Sequence, residues 1–130
     1  MPYSLVLSES EVASVASIGQ DFTIRFSAAS LRKAPGGTHE RALVGFGRGV
    51  VLELRAVRVI EESQPTFGRL AAGRLQVAGQ WLSEVLLPFE AATQVQLELT
   101  FANRATLVVA CTVVSVGFEG QANFTESLAC

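Results

Sequence analysis

The residue types best suited to chemistry lie close together in the polar stretch 31–41. The only histidine of the chain, His39, stands there beside Glu40. Basic side chains on such a loop are typical of an anion-binding site, and in an enzyme the histidine would act as a general base. We favour a solvated loop instead, because nothing in this stretch would hold the imidazole in one position. The residues of the anion-site hypothesis are Arg32, Lys33, His39 and Arg41.

No second group of reactive residues accompanies this histidine. A zinc site needs three or four histidine, cysteine or carboxylate ligands, and Cys111 and Cys130 lie far from His39 along the chain. A nucleophilic serine needs a base beside it, and one histidine would have to serve any of the serines. The sequence therefore predicts no metal, no cofactor and no catalytic group, and an enzyme using His39 is the weakest of our hypotheses.

A glycine-rich run at 45–49, with the letters GFGRG, invites comparison with a phosphate-binding loop. A dinucleotide-binding loop follows a strand and opens a helix, whereas this run leads into the apolar segment 50–54. We therefore interpret the glycines as positions where a strand bends or where two backbones approach closely.

Composition and charge exclude several classes of protein. The 130 residues include 10 basic and 12 acidic ones, a net charge of −2, so the chain lacks the basic surface that nucleic-acid binding requires. With 49% hydrophobic and 17% charged residues it is not a disordered chain. The charge-free run 105–118 is too short to cross a membrane. We expect one domain over 1–130, without nucleic-acid or membrane partners.

The two cysteines and the N-terminus favour a cytoplasmic protein. The first 20 residues contain no lysine or arginine and no long apolar block, so they do not form a secretion signal. Cys111 lies in an apolar run, where a thiol packs as a small core residue, and Cys130 is the last residue. We expect two reduced thiols, with a Cys111–Cys130 bridge as the alternative.

Alternating apolar and polar residues predict strands along most of the chain. The clearest strand lies at 94–101, and another lies at 22–26. Short polar turns predict hairpins at 19–21, 78–80 and 102–104, the last because asparagine accepts the left-handed backbone conformation.

Three segments have patterns that are harder to interpret. In 50–60 the apolar positions change from even to odd numbers, which predicts a bulge or bend near 55–56. The segment 81–89 fits either one or two turns of helix or a strand, because Pro88 would end a helix early. The run 107–118 is apolar at both alternations, which predicts one central strand covered on both sides.

About seven to nine short strands joined by turns, without alternating helices, indicate an all-β fold. We expect an antiparallel β-sandwich or a partly open barrel with at most one short helix.

Three segments near the C-terminus carry a resemblance to known sequences: 97–107, 118–120 and 122–128, with the letters LELTFANRATL, FEG and ANFTESL. Together they resemble a group of small, uncharacterised bacterial all-β proteins. Where that group commonly has Asn-Gly at the turn, this chain has Asn103-Arg104. The resemblance implies an all-β fold and a bacterial source, and it implies no activity.

An apolar chain of this size leaves part of its hydrophobic surface exposed, and exposed apolar patches mark interfaces. We therefore expect a non-catalytic interaction module that self-associates as a homodimer or binds another protein. Its candidate interface residues are Val51, Val57 and Val59. The alternative is a small-ligand-binding barrel. Its cavity would be lined by Phe22, Leu52, Leu97 and Trp81.

Overall fold

The computed structural model describes residues 3–34 and 41–127. These residues contain strands and no helix, which confirms the all-β prediction. The strands are β1 (Tyr3–Ile18), β2 (Asp21–Lys33), β3 (Leu43–Gly47), β4 (Val50–Arg55), β5 (Arg58–Glu62), β6 (Gly68–Val77), β7 (Gln80–Leu82), β8 (Glu84–Leu87), β9 (Phe89–Ala91), β10 (Val95–Phe101), β11 (Thr106–Cys111), β12 (Val113–Phe118) and β13 (Thr125–Glu126).

The strands form one antiparallel sheet that is not closed into a barrel. Its main order is β5-β11-β10-β6-β1-β2-β4-β12-β9. Strand β7 pairs with β6, β8 pairs with β1, and β3 lies between β2 and β13. We call β5, β11, β10, β6 and β7 the B part of the sheet, and the remaining strands the A part.

The two parts of the sheet share a single hydrophobic core. Leu97 and Leu99 of the B part belong to the same buried cluster as Leu52 and Leu54 of the A part. Each of these side chains is at most 1% exposed. The sheet therefore folds back on itself, and the side chains of alternate residues fill the space between its two parts.

Strand β1 reaches from one part of the sheet to the other through a kink at residues 7–10. It pairs with β8 before the kink and with β6 after it, and Glu9 has a left-handed backbone with φ 75°. The buried Ser10 hydroxyl donates to Val6 O at 2.7 Å and accepts from the Ser30 N–H at 2.8 Å. This hydroxyl supplies partners for backbone groups that the kink removes from the ladder.

The three predicted hairpins are present. Gly19, with φ 61°, lies in the turn from β1 to β2, and Ala78 and Gly79, with φ 49° and 85°, turn β6 into β7. In the third turn, between β10 and β11, the left-handed residue is Arg104, with φ 73°. The prediction gave that conformation to Asn103 and is wrong on this point.

Replacing Arg104 by glycine should stabilise the protein by about 0.5–1 kcal/mol, because glycine adopts the left-handed region without a steric penalty. Asn103 is needed, since its side chain accepts from the Ala105 N–H at 2.8 Å and donates to Pro65 O at 3.1 Å. Urea unfolding should rank Arg104→Gly above the wild type and Asn103→Gly below it. An Arg104→Gly variant no more stable than the wild type would contradict the turn geometry.

Two segments that were expected to be single strands are each two strands. The predicted bend in 50–60 is confirmed at Ala56, with φ 55°, but β4 ends at Arg55 and β5 lies in the other part of the sheet. The prediction of one central strand over 107–118 is wrong, because β11 and β12 separate at Thr112. At both places the chain crosses between the A and B parts, and the Thr112 N–H donates to Arg55 O at 3.3 Å.

The segment 81–89, for which helix and strand both fitted, contains strands only. Its pieces pair with three different neighbours: β7 with β6, β8 with β1, and β9 with β12. The chain breaks at Ser83 and Pro88 between these short pieces. Such breaks explain why the strands outnumber the seven to nine that we expected from the sequence.

Candidate functional site

Strand β5 forms an outer edge of the B part. It pairs with β11 on one side, and no other strand within residues 3–34 and 41–127 pairs with its other side. All of its residues are exposed, Val59 by 44% and Ile60 by 51%. Strand β5 therefore presents unpaired backbone groups beside two β-branched apolar side chains.

Both ends of β5 are fixed to the rest of the fold. Before the strand, the Val57 N–H donates to Gln20 O at 2.7 Å. After it, the Ser63 N–H donates to Thr106 O at 2.9 Å, and the Thr106 N–H donates to Ser63 Oγ at 2.8 Å. Because β5 is already held extended, pairing with a further strand orders little additional backbone.

A β-bulge interrupts β5 at its middle. Val59 is the partner of Val109 and Glu61 is the partner of Val108, so Ile60 is an extra residue in the ladder. A bulge of this kind bends the strand and breaks the alternation of its side chains. Val59 and Ile60 are both exposed at this bulge.

The charges of β5 are distributed unevenly along the strand. Arg58 begins it, and Glu61 and Glu62 end it. The Thr106 hydroxyl donates to Glu61 Oε2 at 2.7 Å, whereas Arg58 and Glu62 form no ion pair within the described residues. The edge is therefore positive at one end and negative at the other.

Of the three predicted interface residues, Val59 alone is exposed. Val51 and Val57 are each 8% exposed, and Val57 belongs to the core cluster. Sequence reasoning missed Ile60, although a regular strand would place the consecutive apolar residues Val59 and Ile60 on opposite faces, so that one of them would lie outside the core. That adjacency is the signal that would have identified it.

Two residues of the anion-site hypothesis, Arg32 and Lys33, lie on a strand. Arg32 and Lys33 lie on β2, which continues through Lys33 because β1 and β3 pair with it there. Their side chains leave opposite faces of the sheet, and Arg32 forms an ion pair with Glu84 at 3.3 Å. Arg41 precedes β3, and His39 lies outside the described residues. Residues 31–33 of the segment that was predicted to be a loop therefore belong to β2.

The predicted ligand cavity is not formed by the residues assigned to it. Phe22, Leu52 and Leu97 are packed within the hydrophobic core. Trp81 is 37% exposed and is the register partner of Gln76, a residue of the outer face of the sheet. Trp81 therefore lies on the opposite side of the B part from the core, and this cavity lining is wrong.

Reactive groups are few in the described part of the chain. Residues 3–34 and 41–127 contain no group of three or more His, Cys, Asp or Glu residues that could hold a metal ion. Among the described residues Cys111 is a free, buried cysteine, and Cys130 lies outside them. Burial raises the pKa of the Cys111 thiol, and a backbone hydrogen bond with Val113 opposes this more weakly. The thiol is therefore protonated and weakly nucleophilic at neutral pH.

Comparison of this chain with known protein families, curated proteins and solved structures finds no match. Within the described ranges there is also no helix with the length and hydrophobicity needed to span a bilayer. The open edge of β5 combines unpaired backbone groups with exposed apolar side chains, which is the combination that a further strand recognises.

Proposed function

We propose that this chain is a non-catalytic β-sandwich module that self-associates. Two copies pair their β5 strands antiparallel and form a twofold dimer. The observation that carries this proposal is the open edge of β5, where Val59 and Ile60 are exposed beside unpaired backbone groups.

The natural partner of a strand edge is another strand. Backbone donors and acceptors recur at a fixed spacing along such an edge, and a second strand matches them with its own. Pairing also removes Val59 and Ile60 from water, which is favourable in proportion to the apolar area buried.

The charges of β5 favour a second copy of the same strand as that partner. In an antiparallel pair, Arg58 of each copy lies near Glu61 and Glu62 of the other. A parallel pair would place like charges beside each other, which is unfavourable. Because both copies use the same surface, the assembly closes at two chains.

The contact surface is small, since it is centred on the single strand Arg58–Glu62. Interfaces at the low end of the size range are typical of weak, reversible association. We therefore expect a dimer that dissociates in the micromolar range, and a monomer at high dilution.

Light scattering at concentrations well above micromolar should give twice the mass of one chain for the wild type. Replacing Ile60 by lysine should give the mass of one chain, because a charge at the centre of the edge opposes strand pairing. Ile60 is 51% exposed, so the variant should keep the circular dichroism spectrum and unfolding midpoint of the wild type.

Leu86→Lys is the matched control for this measurement. Leu86 is 56% exposed and lies on β8, in the A part of the sheet, so its replacement should leave the dimer intact. A monomeric Leu86→Lys with a dimeric Ile60→Lys would place the interface elsewhere and overturn the proposal. So would a wild type that remains monomeric at the highest soluble concentration.

A charge exchange tests the antiparallel arrangement separately. Arg58→Glu should dissociate the dimer, because acidic groups then face each other at both ends of the strand pair. Adding Glu61→Arg and Glu62→Arg to that variant should restore the dimer, because opposite charges then face each other again. If the triple variant stays monomeric while Arg58→Glu dissociates, the antiparallel pairing is wrong.

A further inference from the structure

A shallow polar groove of about 370 Å³ lies on the outer face of the B part, where β10 begins. Its volume falls within the range of small-ligand sites. The residues that line it include Arg58, Gln76, Gln94, Gln96, Ala110 and Thr112.

The groove follows one row of paired residues across the strands. Gln76, Gln96 and Ala110 are successive partners in register, and Trp81 of β7 is the partner of Gln76. Arg58 of β5 is the partner of Ala110 on its other side. Since neighbouring strands lie about 4.8 Å apart, the short side chain of Ala110 leaves a gap between Gln96 and Arg58.

A series of contacts fixes the amide of Gln96 beside this gap. The Arg74 guanidinium lies 3.8 Å from the centre of the Trp81 ring and donates to Glu98 Oε1 at 2.9 Å. Gln96 Nε2 donates to Glu98 Oε2 at 2.8 Å. The Glu98 carboxylate is therefore occupied, and Gln96 keeps its carbonyl oxygen and its second N–H for a ligand.

The geometry points to this groove as a binding site for a neutral saccharide. Each sugar hydroxyl both donates and accepts hydrogen bonds, and so do the side-chain amides of Gln76, Gln94 and Gln96. The Gln96 amide is already held in place, so binding costs little side-chain entropy. In the dimer proposed above, Arg58 faces the acidic residues of the second copy, which leaves neutral groups to select the ligand.

The single tryptophan of the chain, Trp81, is the register partner of the groove residue Gln76, so its fluorescence should respond to binding. Separate titrations with maltose, cellobiose and lactose at millimolar concentrations should change this emission saturably for at least one sugar. In nitrogen-edited NMR spectra the same sugar should shift the side-chain amide signals of Gln76 and Gln96. Gln96→Leu should weaken binding about tenfold, as expected for the loss of hydrogen bonds to one amide.

Gln121→Leu is the matched control, because Gln121 is exposed and is not part of the groove lining. Its affinity for the sugar should equal that of the wild type. The Ile60→Lys variant should also bind the sugar with the affinity of the wild type. Ile60 lies on β5, whereas the side-chain amides of the groove belong to Gln76, Gln94 and Gln96, which lie outside that strand. A failure of the dimer proposal therefore leaves this test intact.

Three results would overturn the saccharide site. One is the absence of a saturable response to all three sugars. Another is an affinity of Gln96→Leu equal to that of the wild type. The third is binding of glucuronate without binding of any neutral sugar, because the Arg58 charge would then select the ligand instead of the amides.

Discussion

Replacing Leu97 by alanine should lower the free energy of unfolding by about 2–5 kcal/mol, which is the range for a buried leucine whose removal leaves a cavity. Leu97 is fully buried at the middle of β10. Its register partners, Leu75 of β6 and Val109 of β11, are also fully buried. Urea unfolding followed by circular dichroism measures the effect directly.

Thr100→Ala on the same strand is the control for Leu97→Ala. Thr100 is exposed and lies on the outer side of β10, so its replacement should change stability by less than about 0.5 kcal/mol. Similar losses for the two variants would show that β10 does not bury its odd-numbered residues in a shared core, and the assigned fold would be wrong.

Replacing Gly45 by alanine should detach β13 from the sheet and lower the free energy of unfolding by about 1–3 kcal/mol, the range for overpacking. A Cβ atom on Gly45 would overlap Thr125 O and lie 2.9 Å from Glu126 Cα. Both are backbone atoms, so rotation of a side chain does not relieve the contact. Displacing this segment also separates Phe124 from Tyr3, whose rings stack at 5.5 Å.

Limited proteolysis between 121 and 127 should report this detachment, with cleavage faster in Gly45→Ala than in the wild type. Gly117→Ala is the control, because its added Cβ would meet only Pro88 Cβ at 3.8 Å, an ordinary contact. If Gly45→Ala is cleaved no faster than Gly117→Ala, β13 is not packed against β3 as described.

The hairpins were predictable because short-range chemistry determines them, and the glycine-rich run was predictable because glycine is the residue that permits close backbone approach. A left-handed turn needs a residue such as Gly19 or Gly79 that adopts positive φ readily. The close backbone approach expected for the run 45–49 is confirmed at Gly45 and Gly47, where an added Cβ would meet the backbone of 123–126.

The crossings between the two parts of the sheet were predictable only where polar residues reveal the alternation. In 50–60, Glu53 and Arg55 mark the outward positions, so the change of phase at Ala56 is visible in the sequence. In 107–118 the inward positions also change, from odd numbers before Thr112 to even numbers after it. There the outward residues are mostly apolar as well, and the change is hidden.

The edge position of β5 was not predictable in the same way. Alternation shows which side chains of a strand face the core, but it does not show which strand lacks a neighbour. Val51, Val57 and Val59 therefore formed one group in the sequence, whereas the structure buries Val51 and Val57 and exposes Val59. The polar groove on the B part is formed by residues of four strands, β5, β11, β10 and β6, that are neighbours only through the register of the sheet. A single sequence does not reveal that register.

Hydrogen–deuterium exchange of the β5 backbone amides, measured as a function of protein concentration, tests the proposed self-association most directly. Pairing should protect amides of Arg58–Glu62 that face the open edge at concentrations where the protein is a dimer. On dilution, or in Ile60→Lys, the same amides should exchange rapidly while those of β10 stay protected. Exchange in β5 that is independent of concentration, in a protein that light scattering shows to be a dimer, would contradict pairing through this strand.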